Sequence, residues 1–76
     1  MTLNEAIGFQ MKIQRESRKD LTQGIIADRM GFKSKNTVSY YETGKGEITV
    51  EFLFAYCNAV GCDYRQVLDD ARAMIK

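Results

Sequence analysis

The chain has 76 residues, enough for one domain with a small hydrophobic core, and its net charge is +1. It contains no His, Trp or Pro. Because no apolar run reaches the ~18 residues of a membrane span and the N-terminus lacks the basic-then-apolar layout of a signal peptide, we expect a cytoplasmic protein without a membrane partner.

The first predicted helix begins at the N-terminus of the chain. Thr2 and Glu5 have the spacing of a capping box, in which each side chain bonds the backbone amide of the other residue. Residues 15–20 are all polar, so the helix is expected to end within them. Gly8 weakens the helix, and we expect it to permit close approach by another helix. The apolar stripe repeats every four residues: Leu3, Ile7, Met11.

Residues 21–44 predict two short helices joined by a tight turn. Thr22 can cap the first, and Gly31 ends it, because glycine adopts the left-handed C-terminal conformation at little cost. Ser34 can cap the second, which is expected to run to Gly44. A helix, a short turn and a second helix with polar outer side chains form a helix-turn-helix pattern. The inward positions follow helical spacing: Ile26, Ala27, Met30, Val38, Tyr41.

Two further helices are predicted after a loop at residues 44–47. Thr49 can cap the first, which covers residues 50–60 and is closed by Gly61. Asp63 can cap the second, whose apolar stripe continues to the end of the chain. The chain therefore predicts an all-α fold of five helices. Their inward positions are Phe52, Leu53, Tyr56, Ala59 and Val60, then Tyr64, Val67, Leu68, Ala71 and Ile75.

The chain offers little material for catalysis or metal binding. Cys57 and Cys62 have no histidine near them, and a four-ligand zinc site needs more donors. We expect both as small apolar residues beside the core, without a disulfide in a cytosolic chain. A phosphate-binding glycine loop and a nucleophile beside a base are also missing, so we expect no enzymatic activity, no cofactor and no metal.

Positive charge is concentrated in one half of the chain. Residues 11–46 hold eight Lys or Arg against four Asp or Glu, a net +4, whereas residues 47–76 have a net −2. The basic excess coincides with the helix-turn-helix, as a nucleic-acid-binding surface requires. An ordinary solvated surface would also account for a charge run of this size.

One set of residues spans most of the chain, from the first helix to the last. In order, it consists of Gly8, Met11 and Arg15; Leu21-Thr22-Gln23, Ile26-Ala27 and Met30-Gly31; Thr37-Val38-Ser39, Tyr41-Glu42 and Gly44-Lys45; Leu53, Ala59-Val60-Gly61 and Val67-Leu68. In this order and at nearly this spacing, they resemble the Cro/CI-type, or XRE, family of phage-repressor helix-turn-helix proteins. The chain departs from the family by one extra residue near Lys19 and another in the turn 31–35. Gly24 and Ile25 also replace residues that are usually polar.

The resemblance implies a compact five-helix, lambda-repressor-like domain whose third helix enters the major groove of DNA, commonly as a two-fold dimer on a palindromic operator. It also implies an ion pair between Arg15 and Glu42 that orients this helix. The alternative for this pair is two ordinary surface charges. Gln23 matches the family position where a glutamine bonds the DNA backbone and braces the recognition helix.

The outer face of the third helix supplies the predicted base contacts. Lysine suits guanine O6 and N7, asparagine bonds adenine through two hydrogen bonds, and tyrosine can bond a base or contact a thymine methyl. We expect base contacts from Lys35, Asn36, Ser39 and Tyr40. The contacts with the DNA backbone are assigned to Gln23, Thr37 and Lys45. The alternative for each position is a solvated side chain without a partner.

The predicted function is that of a sequence-specific double-stranded DNA-binding transcriptional regulator, a small repressor of a phage or mobile element in a bacterial cell. Three alternatives remain open: an antitoxin-type regulator that also binds a toxin, a helix-turn-helix fold used for protein–protein interaction, and a fragment of a longer regulator. Residues 69–76 extend the last helix with an apolar side, which either forms a homodimer or folds back on the first helix.

Overall fold

A computed structural model describes residues 1–75, over which the chain forms five α-helices and no strand. In chain order these are α1 (Leu3–Glu16), α2 (Gln23–Met30), α3 (Lys35–Glu42), α4 (Val50–Val60) and α5 (Tyr64–Met74). α1 packs against α3, α4 and α5, and α2 packs against α3 and α4. The predicted all-α fold is confirmed. No helix in residues 1–75 has the length and apolar character needed to cross a membrane.

Each helix begins after a polar residue whose side chain accepts a hydrogen bond from a first-turn amide, as predicted: Thr2, Thr22, Ser34, Thr49, Asp63. At α1 the capping box is complete, because the Glu5 carboxylate accepts a 2.8 Å hydrogen bond from the Thr2 amide. α2 and α4 end at glycines with positive φ, Gly31 at 80° and Gly61 at 86°. Glycine adopts this conformation more readily than other residues, which explains both helix ends.

α3 is shorter than the sequence suggested. It ends at Glu42, two residues before Gly44. The hydroxyl of Thr43 donates a hydrogen bond of 2.9 Å to the carbonyl of Ser39 and lies 3.1 Å from that of Tyr40. Gly44 then turns the chain away with φ at 80°. Thr43 therefore closes the helix, and the residues after it form a loop that leads to α4.

The core is formed by all five helices, with α5 packed on α1 and α4, and with α2 and α3 packed on each other, α2 also on α4 and α3 also on α1. Its fully buried large side chains come from all five helices: Met11, Ile26, Val38, Tyr56, Val67. Gly8 sets the separation of α1 and α3, since a Cβ placed on it would lie 2.5 Å from the carbonyl oxygen of Tyr41. The close approach predicted for Gly8 is thus an approach of α3.

The last turn of α5 packs on the domain itself. Ala71 is fully buried, and Met74 and Ile75 are half-buried against the core. The side-chain amide of Gln10 on α1 lies 3.0 Å from the sulfur of Met74. The helix ends at Met74, because Ile75 leaves helical geometry (φ −118°, ψ 44°), and Lys76 lies outside the described residues. Dimerisation through residues 69–76 stays a prediction.

The two cysteines are adjacent to the core and are free thiols, Cys57 buried and Cys62 half-buried. Burial, and after it the neighbouring Cys62 thiol, raises the pKa of the Cys57 thiol to about 12. Cys57 therefore remains protonated at neutral pH and packs as a small apolar side chain.

Candidate DNA-binding surface

A buried ion pair joins α1 to the last residue of α3. Arg15 Nε lies 2.8 Å from Glu42 Oε2, and Arg15 Nη2 lies 3.0 Å from Glu42 Oε1, so the two planar groups meet through two hydrogen bonds. Arg15 is 7% exposed and Glu42 is 3% exposed. Arg15 also donates to the carbonyl of Leu21, just before α2, at 3.2 Å. The structure therefore places this pair inside the domain, where it ties the helix-turn-helix to α1.

Two further donors complete the bonding of the Glu42 carboxylate. The hydroxyl of Tyr56 on α4 donates to Oε2, and the side-chain amide of Gln23 at the start of α2 donates to Oε1 at 3.0 Å. Within residues 1–75, every buried side-chain nitrogen and oxygen has a hydrogen-bond partner. One carboxylate on α3 is thus held by α1, α2 and α4 together, and it fixes the orientation of α3.

Tyr56 is the member of this network that the sequence pattern does not reveal. Helical spacing places it in the apolar band of α4 and says nothing about its hydroxyl. The hydroxyl bonds Glu42, 14 residues earlier, and lies 3.0 Å from the carbonyl of Met11. The signal available in the sequence was chemical, because a tyrosine on a fully inward position needs a partner for its hydroxyl.

The network fixes the ionisation states of its members. Burial would raise the pKa of Glu42, but the hydrogen bonds from its three donors outweigh burial and hold this pKa below its ordinary value. The hydrogen bond with Glu42 raises the pKa of Arg15 against the opposing effect of burial. Burial, followed by the bond to Glu42, raises the pKa of Tyr56. At neutral pH the network is a charged Arg–Glu pair with a neutral tyrosine.

The side chains predicted to contact bases lie on the side of α3 that faces away from the core. Asn36 and Tyr40 are one helical turn apart and both exposed, Tyr40 by 50%. Ser39 is half-buried and follows Asn36 by three residues, and Lys35 is exposed one turn before Ser39. The structure therefore brings the four residues together as one polar surface.

The ring of Tyr40 is exposed but supported at its base. It meets the Tyr41 ring edge-on at 5.7 Å between centroids, and Tyr41 in turn stacks on Phe52 at 4.0 Å. A Cβ on Gly46 would lie 2.9 Å from the Tyr40 ring and 2.6 Å from that of Tyr41. The aromatic stack and the loop after α3 thus hold the Tyr40 ring in place.

The start of α2 lies beside the start of α3. Lys35 lines an open depression together with Gln23 and Gly24. The backbone amides in the first turn of a helix have no acceptor within the helix. In α2 the Thr22 hydroxyl accepts a hydrogen bond of 3.2 Å from the backbone amide of Ile25, and the backbone amides of Gln23 and Gly24 come just before it. These amides and the nearby ammonium group suit an anion. The Gln23 side chain has a second N–H besides the one that bonds Glu42.

The remaining predicted contacts with the DNA backbone lie on two other parts of the surface. Thr37 is half-buried on α3, three residues before Tyr40. Lys45 is exposed in the loop after α3, and no acidic side chain in residues 1–75 forms an ion pair with it. In the same part of the chain, no three His, Cys, Asp or Glu side chains are grouped so that they could hold a metal ion.

A short helix with exposed polar side chains, braced from within by an ion pair and preceded by a helix whose N-terminus lies beside it, defines a helix-turn-helix DNA-binding domain. The chain belongs to the Helix-turn-helix family, of the XRE type, whose family model matches residues 11–67. It is a DNA-binding regulator.

Two crystal structures of ClgR, the clp gene regulator of Corynebacterium glutamicum, are similar to this chain. One is 28% identical with a TM-score of 0.91, and the match covers 100% of this chain and 96% of that chain. The other is 28% identical with a TM-score of 0.86, over 97% of this chain and 77% of that chain. No curated protein matches the chain. The structural similarity thus extends over α1 and α5 beyond the limits of the family match.

Proposed function

We propose that this protein is a small transcriptional repressor that binds a palindromic operator in double-stranded DNA as a homodimer, with α3 in the major groove. The observation that carries the proposal is the exposed polar face of α3, formed by Lys35, Asn36, Ser39 and Tyr40. A helix used for protein–protein interaction would be expected to present apolar or acidic side chains there. Transcriptional regulation by such a protein places it in the cytoplasm of a bacterial or phage-infected cell.

The base contacts follow from the chemistry of this face. Asn36 and Tyr40 lie at its centre, so Asn36 is assigned to an adenine and Tyr40 to a neighbouring base or thymine methyl. Lys35 in the first turn of α3 is assigned to guanine O6 and N7, since the N-terminal residues of a recognition helix reach the base edges. Ser39 is half-buried and contributes a hydroxyl at the edge of the face.

The phosphate contacts frame the base-reading face on two sides. On one side, the free N–H of the Gln23 side chain and the first amides of α2 donate to a phosphate. On the other side, past the end of α3, the ammonium group of Lys45 binds the next phosphate along the strand. The hydroxyl of Thr37, on a separate part of the surface, adds a donor. Because these groups carry no sequence information, they set the register of α3 on the duplex.

A dimer doubles the length of DNA that the protein recognises. α3 has 8 residues and spans about 12 Å, which limits one copy to a few base pairs. Two copies related by a two-fold axis read half-sites about 34–36 Å apart. We place the dimer contact on the exposed side of residues 69–75, which includes Ala73.

The dimer contact is tested by Ala73→Glu, since truncation after Asp70 would also delete the fully buried Ala71. We expect the variant to be monomeric in sedimentation equilibrium at concentrations where the wild type is dimeric. Asn58→Glu adds the same charge at an exposed position of α4 and should remain dimeric. A dimeric Ala73→Glu variant would move the contact elsewhere.

DNA binding is tested by fluorescence anisotropy with a generic duplex across a salt series. The affinity should fall with salt by a log–log slope of roughly −0.9 for each phosphate contacted. On an operator obtained by selection, Asn36→Ala and Tyr40→Ala should each bind more weakly than the wild type. Asn58→Ala, an exposed asparagine on α4, is the matched control and should bind normally. Absence of wild-type binding at low salt would favour a protein-interaction role instead.

A further inference from the structure

The loop between α3 and α4 directs its backbone amides back to the end of α3. The amide of Gly44 donates to the carbonyl of Tyr41 at 3.1 Å, and the amides of Lys45 and Gly46 donate to the carbonyl of Tyr40 at 3.1 and 3.4 Å. The loop is therefore wrapped around the C-terminus of α3. Its own carbonyl groups need donors from elsewhere in the chain, because a partly buried carbonyl without a partner is costly.

Those donors come from a single side chain near the N-terminus of the chain. Asn4, in the first turn of α1, donates through Nδ2 to the carbonyl of Gly46 at 2.8 Å and to that of Gly44 at 3.2 Å. Its Oδ1 accepts a hydrogen bond of 2.8 Å from the amide of Ile48. Both donors and the acceptor of the amide group are engaged. Asn4 thus holds the backbone of Gly44 and Gly46, the two neighbours of Lys45, and that of Ile48.

The glycines of this loop show how closely it is held. A Cβ on Gly44 would lie 2.8 Å from the Cα of Glu5 on α1, and Gly44 also has a positive φ. A Cβ on Gly46 would lie within 3 Å of the Tyr40 and Tyr41 rings. The backbone of the loop is therefore packed between α1 and the aromatic side chains of α3, whereas the side chains of Lys45 and Glu47 are exposed.

We infer that Asn4 is a positioning residue for DNA binding, which acts by fixing the loop that presents Lys45 to a phosphate beside the major groove. The inference rests on the proposed function, because Lys45 has this task only if α3 lies in the groove. Asn4 itself does not touch DNA in this proposal. Its effect passes through Lys45, which distinguishes it from a residue that merely stabilises α1.

The test is a double-mutant cycle of Asn4→Ala and Lys45→Ala, read as the salt dependence of DNA binding at a temperature where circular dichroism shows every variant folded. Lys45→Ala should reduce the magnitude of the log–log slope by about 0.9, the value of one phosphate contact. Asn4→Ala should reduce it by a similar amount, and the double variant by no more than either single variant. Thr2→Ala is the matched control, since it removes the cap of α1 without touching the loop, and it should leave the slope unchanged.

The outcomes separate the two proposals. The role of Asn4 would be overturned if the wild type binds DNA and Asn4→Ala shows the same salt slope as the wild type. It would also be overturned if the slope of the double variant falls further than that of either single variant. Either result would leave the repressor proposal intact. No salt-dependent binding by the wild type would overturn both. If Asn4→Ala does not fold, Asn4→Asp takes its place, because it keeps Oδ1 for the Ile48 amide and suits the first turn of a helix. It must then show the same non-additivity with Lys45→Ala.

Discussion

Glu42→Gln is expected to reduce the free energy of unfolding by about 3–5 kcal/mol, the cost of removing one partner from a buried ion pair. The new side chain has the same shape but leaves the guanidinium of Arg15, which is 7% exposed, with the exposed Glu16 carboxylate 3.9 Å away as its remaining counter-charge in residues 1–75. It also turns an amide NH₂ toward neighbours that are themselves donors. A 76-residue chain has a total stability of roughly 4–11 kcal/mol, so the variant lies near the unfolding threshold. Its Tm should fall by more than about 10 °C.

The assay is urea unfolding at pH 7, followed by circular dichroism, of the wild type, Glu42→Gln and the double variant Arg15→Met/Glu42→Leu. The double variant leaves no unpaired charge and should recover part of the loss. The recovery is incomplete because the side-chain amide of Gln23 loses its acceptor on Glu42, whereas the hydroxyl of Tyr56 keeps the carbonyl of Met11. Exposed ion pairs contribute less than about 1 kcal/mol. A loss of unfolding free energy below this value for Glu42→Gln would refute the assignment of the pair as buried and stabilising.

Three further predictions concern stability and reactivity. Because the fold lowers the pKa of Glu42, the free energy of unfolding should fall as the pH drops below about 4.3. Because the fold raises the pKa of Tyr56, this free energy should also fall as the pH rises above about 10. Urea titrations measure both effects, and equal stability at pH 3 and pH 7 would contradict the first. Gly8→Ala should lower the free energy of unfolding by about 1–3 kcal/mol, since its Cβ would press on the backbone carbonyl of Tyr41. Gly24→Ala is the control and should be neutral or stabilising, because position 24 is open and exposed. Thermal melts compare the two variants. Alkylation at pH 8, mapped by mass spectrometry, should modify Cys62 well before Cys57, whose pKa of about 12 leaves almost no thiolate; equal rates would argue against its burial.

Helix boundaries were accessible from the sequence because their causes are local. An N-cap residue acts on amides two or three residues away, as Thr22 does on Ile25, and a glycine such as Gly31 ends a helix through its own backbone. The end of α3 differs from the prediction because Thr43, and not Gly44, closes the helix. The hydroxyl of Thr43 bonds the carbonyl of Ser39, and Gly44 only continues the turn. Hydroxyl back-bonding of this kind leaves no periodic pattern.

The contacts that organise the candidate site could not be predicted because they join distant parts of the chain. Asn4 bonds loop groups 40 to 44 residues away, and its position in the first turn of a helix reads as ordinary helix polarity. The hydroxyl of Tyr56 reaches Glu42 across the core. Periodicity shows which face of a helix is inward, but it does not show which buried polar atoms meet. The pair of Arg15 and Glu42 and the bracing of α3 by Gln23 are expected beforehand, and both expectations come from family resemblance.

On the proposed function, different residues control the sequence preference of the protein and the orientation of α3. Glu42 lies inside the domain and is bonded from three other helices, so a change there should weaken folding and binding to every DNA sequence alike. Asn36 and Tyr40 lie outside, and their side chains make no hydrogen bond to another part of residues 1–75. On the proposed function, replacing either residue should alter which bases are preferred. Asn36→Ala should leave the unfolding free energy within about 0.5 kcal/mol of the wild type. Tyr40→Ala should cost about 0.5–1.5 kcal/mol, because it removes the edge-on contact with the Tyr41 ring. The base contacts proposed for α3 can thus be changed at its surface without altering the buried network around Glu42 that orients the helix.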